Sequence, residues 1–284
     1  MPYAAEINRK TPACFIILLD QSGSMNDSLG KGEVPVRKAD FLADVVNRNL
    51  QNLVVRCSKA EEIRDYFYVA VIGYGLNGGG VASAFAGNLA GQSLVKISDV
   101  GMHPARLDNR PKRVPDGAGG LVEQMVRFPI WVDPKAENGT PMCAALQQAH
   151  ALAAKWVGEH PNDYPPVVLH ITDGESGDGD PTPHGKAIME LKSADGNVLL
   201  FNCHLSAHRA ASIEYPTDAT GLPDEFSKTL FNISSPLPPT FLRAAKDCGL
   251  SAAEGARGFV FNADANSLVQ FFDIGTRPAN NQAR

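Results

Sequence analysis

Uninterrupted apolar runs alternate along this chain with stretches in which apolar residues recur every three or four positions. Residues 14–19 form the first run, the pattern of a strand buried on both faces. Pro35 then opens a segment in which Ala39, Leu42, Val45, Val46, Asn49, Leu50, Leu53 and Val54 recur with helical spacing. Residues 67–74 read as a second strand and 93–100 as an edge strand. A helix is predicted over 140–157, with Pro141 at its first position and Cys143, Leu146, Ala149, Ala153, Trp156 and Val157 on its apolar face. A buried strand follows at 167–172, then a helix around 185–193 and a strand at 197–205. After a long polar connection, helices are expected at 224–231 and 239–248, the second closed by Gly249. A short strand at 258–262 and a helix at 266–274 complete the pattern. Strand and helix alternate, which predicts an α/β protein with a mainly parallel central sheet and helices on both faces.

Between residues 77 and 138 the chain shifts to Gly, Pro and single charges, and periodicity persists only at 121–128 and 128–132. This stretch reads as an insertion within one domain spanning 13–275, with a second insertion at 206–238. Residues 1–12 then form an N-terminal extension and 276–284 a flexible tail. At 44% hydrophobic and 20% charged residues, the composition excludes a largely disordered or fibrous chain. The longest apolar runs fall far short of the ~20 residues of a membrane span, and residues 1–10 carry no apolar signal region. With 26 basic against 31 acidic residues and no Lys/Arg-rich run, the charge pattern argues against nucleic acid as a partner. The five cysteines are scattered and form no CxxC pair, as expected of reduced thiols in the cytoplasm.

Chemistry concentrates at three points. Asp20-Gln21-Ser22-Gly23-Ser24-Met25 follows the first buried strand directly, and Thr172-Asp173-Gly174 ends another. Gly139-Thr140-Pro141 stands at a helix start. Ligands bind at the carboxyl ends of strands in open α/β sheets, so these segments can converge on one rim. Two carboxylates (Asp20, Asp173) and three hydroxyls (Ser22, Ser24, Thr140) are hard oxygen donors suited to Mg²⁺. Neutral hydroxyls offset little of the ion's charge, which favours an added anionic ligand.

The Asp-x-Ser-x-Ser sequence, the distant Thr and the later Asp-Gly resemble the metal-ion-dependent adhesion site of von Willebrand factor A (VWA) domains, and all five ligand positions match. The resemblance implies a Rossmann-like fold and a protein-interaction module rather than an enzyme. Ser22, Ser24 and Thr140 would be hydroxyl ligands, and Asp20 and Asp173 would bind Mg²⁺ directly or through water, with Mn²⁺ or Ca²⁺ as alternatives. An open coordination position would take a Glu or Asp carboxylate of a protein partner. Met25, Asn26, Pro141, Gly174 and Glu175 would form the rim facing that partner. Residues 138–146, 222–226 and 258–264 are similar to intracellular bacterial VWA proteins of the tellurite-resistance and kinase/phosphatase-associated type. That similarity implies an adaptor in a stress-response or signalling assembly, with a kinase or phosphatase encoded alongside as partner.

Competing readings attach to other residues. Gly73-x-Gly75-x-x-Gly78, with Asp99 beyond a second strand-like run, imitates a dinucleotide-binding fingerprint, although Gly78, Gly79, Gly80 and Gly87 weaken any helix there. The acidic run from Asp173 to Asp180 lacks the spacing of an EF-hand and reads as a solvated loop, with Asp173 alone on the metal. Cys203, His204 and His208 do not complete a zinc set, and His170 reads as a core histidine with its hydrogen bonds satisfied. A metal-dependent phosphoester hydrolase is the alternative function, with Asp27, Glu175 or His208 as candidate bases.

Overall fold

Every residue of β1, Ala13–Asp20, is buried, and its side chains divide between two cores. Phe15, Ile17 and Leu19 enter one, and Cys14, Ile16 and Leu18 the other, as the two-residue period of a strand requires. The computed structural model describes residues 2–29, 36–76, 80–115, 120–205 and 211–276. Pro35, Gly78, Gly79 and His208 lie outside these residues, as does the tail beyond Thr276.

In chain order, β1 is followed by α1 (Lys38–Cys57), β2 (Phe67–Leu76), β3 (Gly80–Ser83), β4 (Val95–Lys96), α2 (Ile97–Met102), β5 (Arg106–Pro115) and β6 (Leu121–Ile130). The second half comprises α3 (Met142–Glu159), β7 (Val167–Thr172), α4 (Thr182–Glu190), β8 (Leu199–His204), β9 (Ile213–Glu214), α5 (Glu225–Asn232), α6 (Pro239–Asp247), β10 (Phe259–Phe261) and α7 (Ala265–Gly275). Two-residue ladders and 3-10 turns join some of them. The sheet runs β9-β10-β8-β7-β1-β2-β3, with β4 also paired to β2. The pairs β2/β1, β1/β7, β7/β8 and β8/β10 are parallel, and β3, β4 and β9 add antiparallel edges. This is the α/β architecture expected from the apolar pattern. Helices α1, α2, α6 and α7 cover the face of Phe15 and Ile17, and α3, α4 and α5 cover the other. Leu42, Val46, Leu50 and Leu53 of α1 are almost wholly buried, each contributing roughly 1.5–3 kcal/mol from burial.

The chain departs from the sequence expectations in five places, the last and largest being the ribbon of β5 and β6. Only Val95–Lys96 of the run 93–100 pairs with the sheet, and Ile97–Met102 turns into α2, burying Ile97 and Val100 against the core. Helix α4 stops at Glu190, because Lys192–Ser193 folds back on Gly196–Asn197 through a turn with Gly196 at φ +150°. Asp195 in that turn accepts the amides of Ala4 and Ala5, and Tyr3 donates to its carbonyl, so the N-terminal segment is docked and Ile7 is buried. Thr276 is also fully buried, its hydroxyl donating to the Phe272 carbonyl, and so belongs to the end of α7 rather than to a frayed tail.

The largest departure is a ten-residue antiparallel ribbon of β5 and β6, in register from Arg106 opposite Ile130 to Pro115 opposite Leu121. Prolines at 111, 115 and 129 hide it in the sequence, yet they are tolerated because each strand has a free edge. Its base is clamped to α1. Arg110 pairs with Asp44 and stacks 4.0 Å above the Phe128 ring, and Asn47 accepts the amides of Trp131 and Val132 while donating to the Val132 carbonyl. Leu107, Val122 and Met125 remain exposed along it.

A polar chain crosses the buried sheet. His170 bonds Tyr74 Oη through Nε2 at 2.7 Å and Asn202 Oδ1 through Nδ1 at 2.8 Å, while Asn202 Nδ2 donates to Ser234 Oγ. An amide oxygen can only accept, so Nδ1 carries the ring proton and Nε2 accepts from the tyrosine. His170 is thus a neutral core histidine, and burial pushes its pKa down to about 4, against the Asn202 bond. The folded value lies below the unfolded value of about 6.5, so stability is lost as pH falls from about 6.5 towards 4. We expect this histidine to account for about 3 kcal/mol of acid destabilisation. Urea titrations at pH 7 and pH 4 should show a smaller drop for His170→Gln than for the wild type; equal drops would contradict the assignment.

Candidate metal centre

Strand β1 sends the chain through α1 to β2 on one side, and the later chain returns past β1 through α3 to β7 on the other. The strand order therefore reverses between β1 and β7. At such a switch point the flanking loops part, leaving a crevice beyond the carboxyl ends of the strands. Asp20 ends β1 there, and Asp173 follows β7.

The loop after β1 is held by backbone bonds. Gln21 N donates to the Tyr74 carbonyl, Glu137 N to Gln21 O, Gly23 N to Asn138 O and Asn138 N to Gly75 O. These bonds bring residues 137–140, which follow the ribbon, against the Ser22–Ser24 turn. Gly75 makes the approach possible, with φ at +103° and a Cβ there only 2.7 Å from the Ser22 nitrogen. The dinucleotide fingerprint accordingly has another explanation. Gly73 and Gly75 make room for Gln21 and Ser22, β2 continues into antiparallel β3 instead of a helix, and Asp99 lies in the first turn of α2.

Five oxygen-bearing side chains meet at this rim. Asp20, 1% exposed, accepts the Ser22 amide on Oδ1 at 2.9 Å and the Thr172 hydroxyl on Oδ2 at 2.7 Å. Ser22 Oγ lies 3.1 Å from Ser24 Oγ, and Ser24 Oγ donates to Asp173 Oδ1 at 2.6 Å. The Cβ that Gly174 lacks would stand 3.7 Å from Ser24 Oγ and 3.8 Å from Thr140 Oγ1, so the two hydroxyls face a space left open by a glycine. Burial pushes the Asp20 carboxyl up, against the hydrogen bonds from Ser22 and Thr172, and nearby Asp173 adds to the rise. Among the described residues no cationic side chain pairs with Asp20.

This donor set fits a small divalent cation. Mg²⁺–oxygen bonds of about 2.1 Å at right angles put adjacent ligand oxygens about 3.0 Å apart, close to the Ser22–Ser24 separation. Carboxylate and hydroxyl oxygens match the hard ion, and a buried carboxylate lacking a counterion gains from meeting one. Among the described residues no group of three His, Cys, Asp or Glu side chains forms a metal cage. Hydroxyls are three of the five donors gathered here.

The acidic loop after Asp173 is more ordered than its composition suggests. Gly177 N donates to the Thr140 carbonyl, and Asp178 accepts the amides of Cys143 and Ala144, serving as a distant cap for α3. Partial burial opposes ionisation of Asp178, yet those amides hold its pKa below the usual value. Pro141 occupies the N-cap position of α3 rather than its first turn and cannot cap it with a side chain, so the cap comes from elsewhere. We expect Asp178→Ala to cost about 1–2 kcal/mol, read as a lower urea midpoint; an unchanged midpoint would contradict the capping role.

Of the expected rim residues, Asn26 and Glu175 are exposed, and Pro141 and Gly174 are half-buried. Met25 is a correction: the 3-10 turn Gly23–Asn26 directs it into the core, where it is fully buried and cannot face a partner. Asn26 is tied down, its amide donating to the Ala136 carbonyl and its oxygen accepting from Arg37. The candidate base Asp27 lies 3.8 Å from the Lys38 ammonium.

Lys38 belongs to this rim although no motif marks it. Its buried ammonium donates to Asp173 Oδ2 at 2.8 Å. It lies four residues before Leu42 on the core-facing side of α1; a lysine continuing an apolar stripe was the available signal.

No family model matches the chain, nor does any curated protein. Among solved structures, the vWF domain of the type V pili tip protein Mfa5 from Porphyromonas gingivalis is similar over 58% of this chain, with 12% identity and a TM-score of 0.27. The chain spans only 39% of that protein chain, so the site is read from its own residues.

Proposed function

We propose that this protein is a non-enzymatic, metal-dependent protein-interaction module of the VWA type. The observation that carries the proposal is the meeting of Asp20, Ser22 and Ser24 with Asp173 and Thr140 at the β1/β7 switch point. When bound, Mg²⁺ (or Mn²⁺ or Ca²⁺) supplies an electrophilic centre able to accept one more oxygen ligand. Asp20 supplies charge while Ser22 and Thr172 fix its orientation. Ser24 gives its proton to Asp173 and keeps oxygen lone pairs for a cation. Thr140 is positioned by the bonds that hold residues 137–140 against the β1 loop. The two carboxylates match the charge of a divalent ion, but Lys38 already pairs with Asp173, so positive charge is left over, which suits an Asp or Glu carboxylate from a partner. Exposed Ser24 and Glu175 leave the approach open.

Within that reading, we place the protein as an adaptor in a bacterial stress-response or signalling assembly, with a kinase or phosphatase as partner. No helix among the described residues is long and apolar enough to cross a membrane. The test is capture from native lysate by tagged protein in Mg²⁺, in EDTA and with Thr140→Ala. A partner retained in Mg²⁺ and lost in both other arms is expected. One retained in all three would assign capture to another surface, such as the β5/β6 ribbon.

A further inference from the structure

We infer that Lys38 is a tethered cation competing with the divalent ion for the charge of Asp173, which keeps metal uptake weak until a carboxylate joins the site. The inference rests on the metal-centre reading above. Both Asp173 oxygens are engaged, Oδ1 by the Ser24 hydroxyl and Oδ2 by Lys38. The aspartate side chain has no exposed surface and that of the lysine only 4%, so this is a buried, directly paired contact. Asp27, two-thirds exposed and 3.8 Å away, is the other carboxylate facing the ammonium. Arg37 on the same turn points elsewhere, to Asp40 and Asn26.

A lysine at this position is costly on two counts. Desolvating its ammonium opposes burial, and the first residue of α1 lies at the positive end of the helix dipole. An apolar residue would extend the stripe of Leu42 and Val46 without either cost. What Lys38 adds is charge. Counting the buried groups Asp20, Asp173 and Lys38, and leaving out the solvent-screened Asp27, the centre carries one net negative charge when all three are ionised, and a divalent ion converts it to one net positive charge. Without the lysine the same ion would bring the centre from two negative charges to neutrality. The surplus positive charge in the wild type is what an incoming carboxylate removes, so carboxylate and metal each strengthen the binding of the other.

The test is calorimetric titration of Mn²⁺ into the full chain, alone and with N-acetylglutamate. Wild type, Lys38→Met and Lys38→Gln are compared, the glutamine retaining a hydrogen-bond donor to Asp173. Both variants should bind Mn²⁺ about tenfold more tightly than the wild type. N-acetylglutamate should tighten Mn²⁺ binding in the wild type and have less effect in the variants. Thermal unfolding supplies a second readout: in EDTA the variants should melt below the wild type, and saturating Mn²⁺ should restore them. If the wild type binds Mn²⁺ and the variants bind equally or more weakly, the competitor role is overturned while the metal centre stands. If none of the three binds Mn²⁺, the metal-centre reading falls and takes this inference with it.

Discussion

Asp20→Asn should weaken divalent-metal binding on the order of 100-fold or more while leaving the fold intact. Ligand-supporting groups outside the coordination sphere already cost 10–100-fold when removed, and Asp20 has no cationic partner among the described residues. Asparagine preserves the local structure. Its Oδ1 still accepts the Ser22 amide, and its NH₂ can donate to Thr172 Oγ1, whose hydroxyl can then donate to the Gly174 carbonyl already 3.2 Å away. Asp20→Ala would instead leave buried donors without acceptors, adding roughly 1–3 kcal/mol of destabilisation. Calorimetry with Mn²⁺ and a thermal melt in EDTA separate the two effects. Wild-type affinity in a folded Asp20→Asn protein would remove Asp20 from the ligand set.

Gly75→Ala should have the largest effect on stability of any single-methyl addition near the rim. Its φ of +103° is strained for alanine, and the added carbon would meet the Ser22 backbone at 2.7 Å. A left-handed conformation costs a non-glycine residue about 1–2 kcal/mol, and overpacking adds about 1–3 kcal/mol. We expect a total of about 2–5 kcal/mol, read from urea unfolding, together with weaker Mn²⁺ binding because the methyl displaces the Ser22–Ser24 turn. The clash is with backbone, so rotamer changes cannot relieve it. An alanine variant with unchanged stability would show that the turn does not depend on this close approach.

The elements legible in the sequence were those whose environment leaves a mark on side-chain pattern. Strands β1 and β7, buried on both faces, read as continuous apolar runs, and α1 and α3 as stripes. The ribbon of β5 and β6 is clamped to α1 at its base, and of its two strands only β6 leaves a periodic trace, at 121–128, so the stretch reads as an insertion and not as a strand pair. The short helix α2 reads as strand because Val95, Ile97 and Val100 are buried whichever element carries them. At the rim, Asp20, Ser22, Ser24, Thr140 and Asp173 stood out through their order and their places at element ends. Met25 fits the rim by position but is buried, because spacing cannot tell which way a 3-10 turn points a side chain. Lys38 and Asp178 escaped notice because their roles are tertiary: one reaches across to another strand, and the other caps a helix more than thirty residues earlier in the chain.

The central claim is that the oxygens of Ser22, Ser24 and their neighbours surround one divalent ion at the β1/β7 switch point. Anomalous diffraction from crystals grown with Mn²⁺ tests it most directly. The expected result is one strong anomalous peak in contact with Ser22 Oγ and Ser24 Oγ, beside Thr140 and the two aspartates, and absent in Asp20→Asn crystals grown alongside. Wild-type crystals at saturating Mn²⁺ with no peak among these side chains, or a peak only elsewhere on the molecule, would contradict the account.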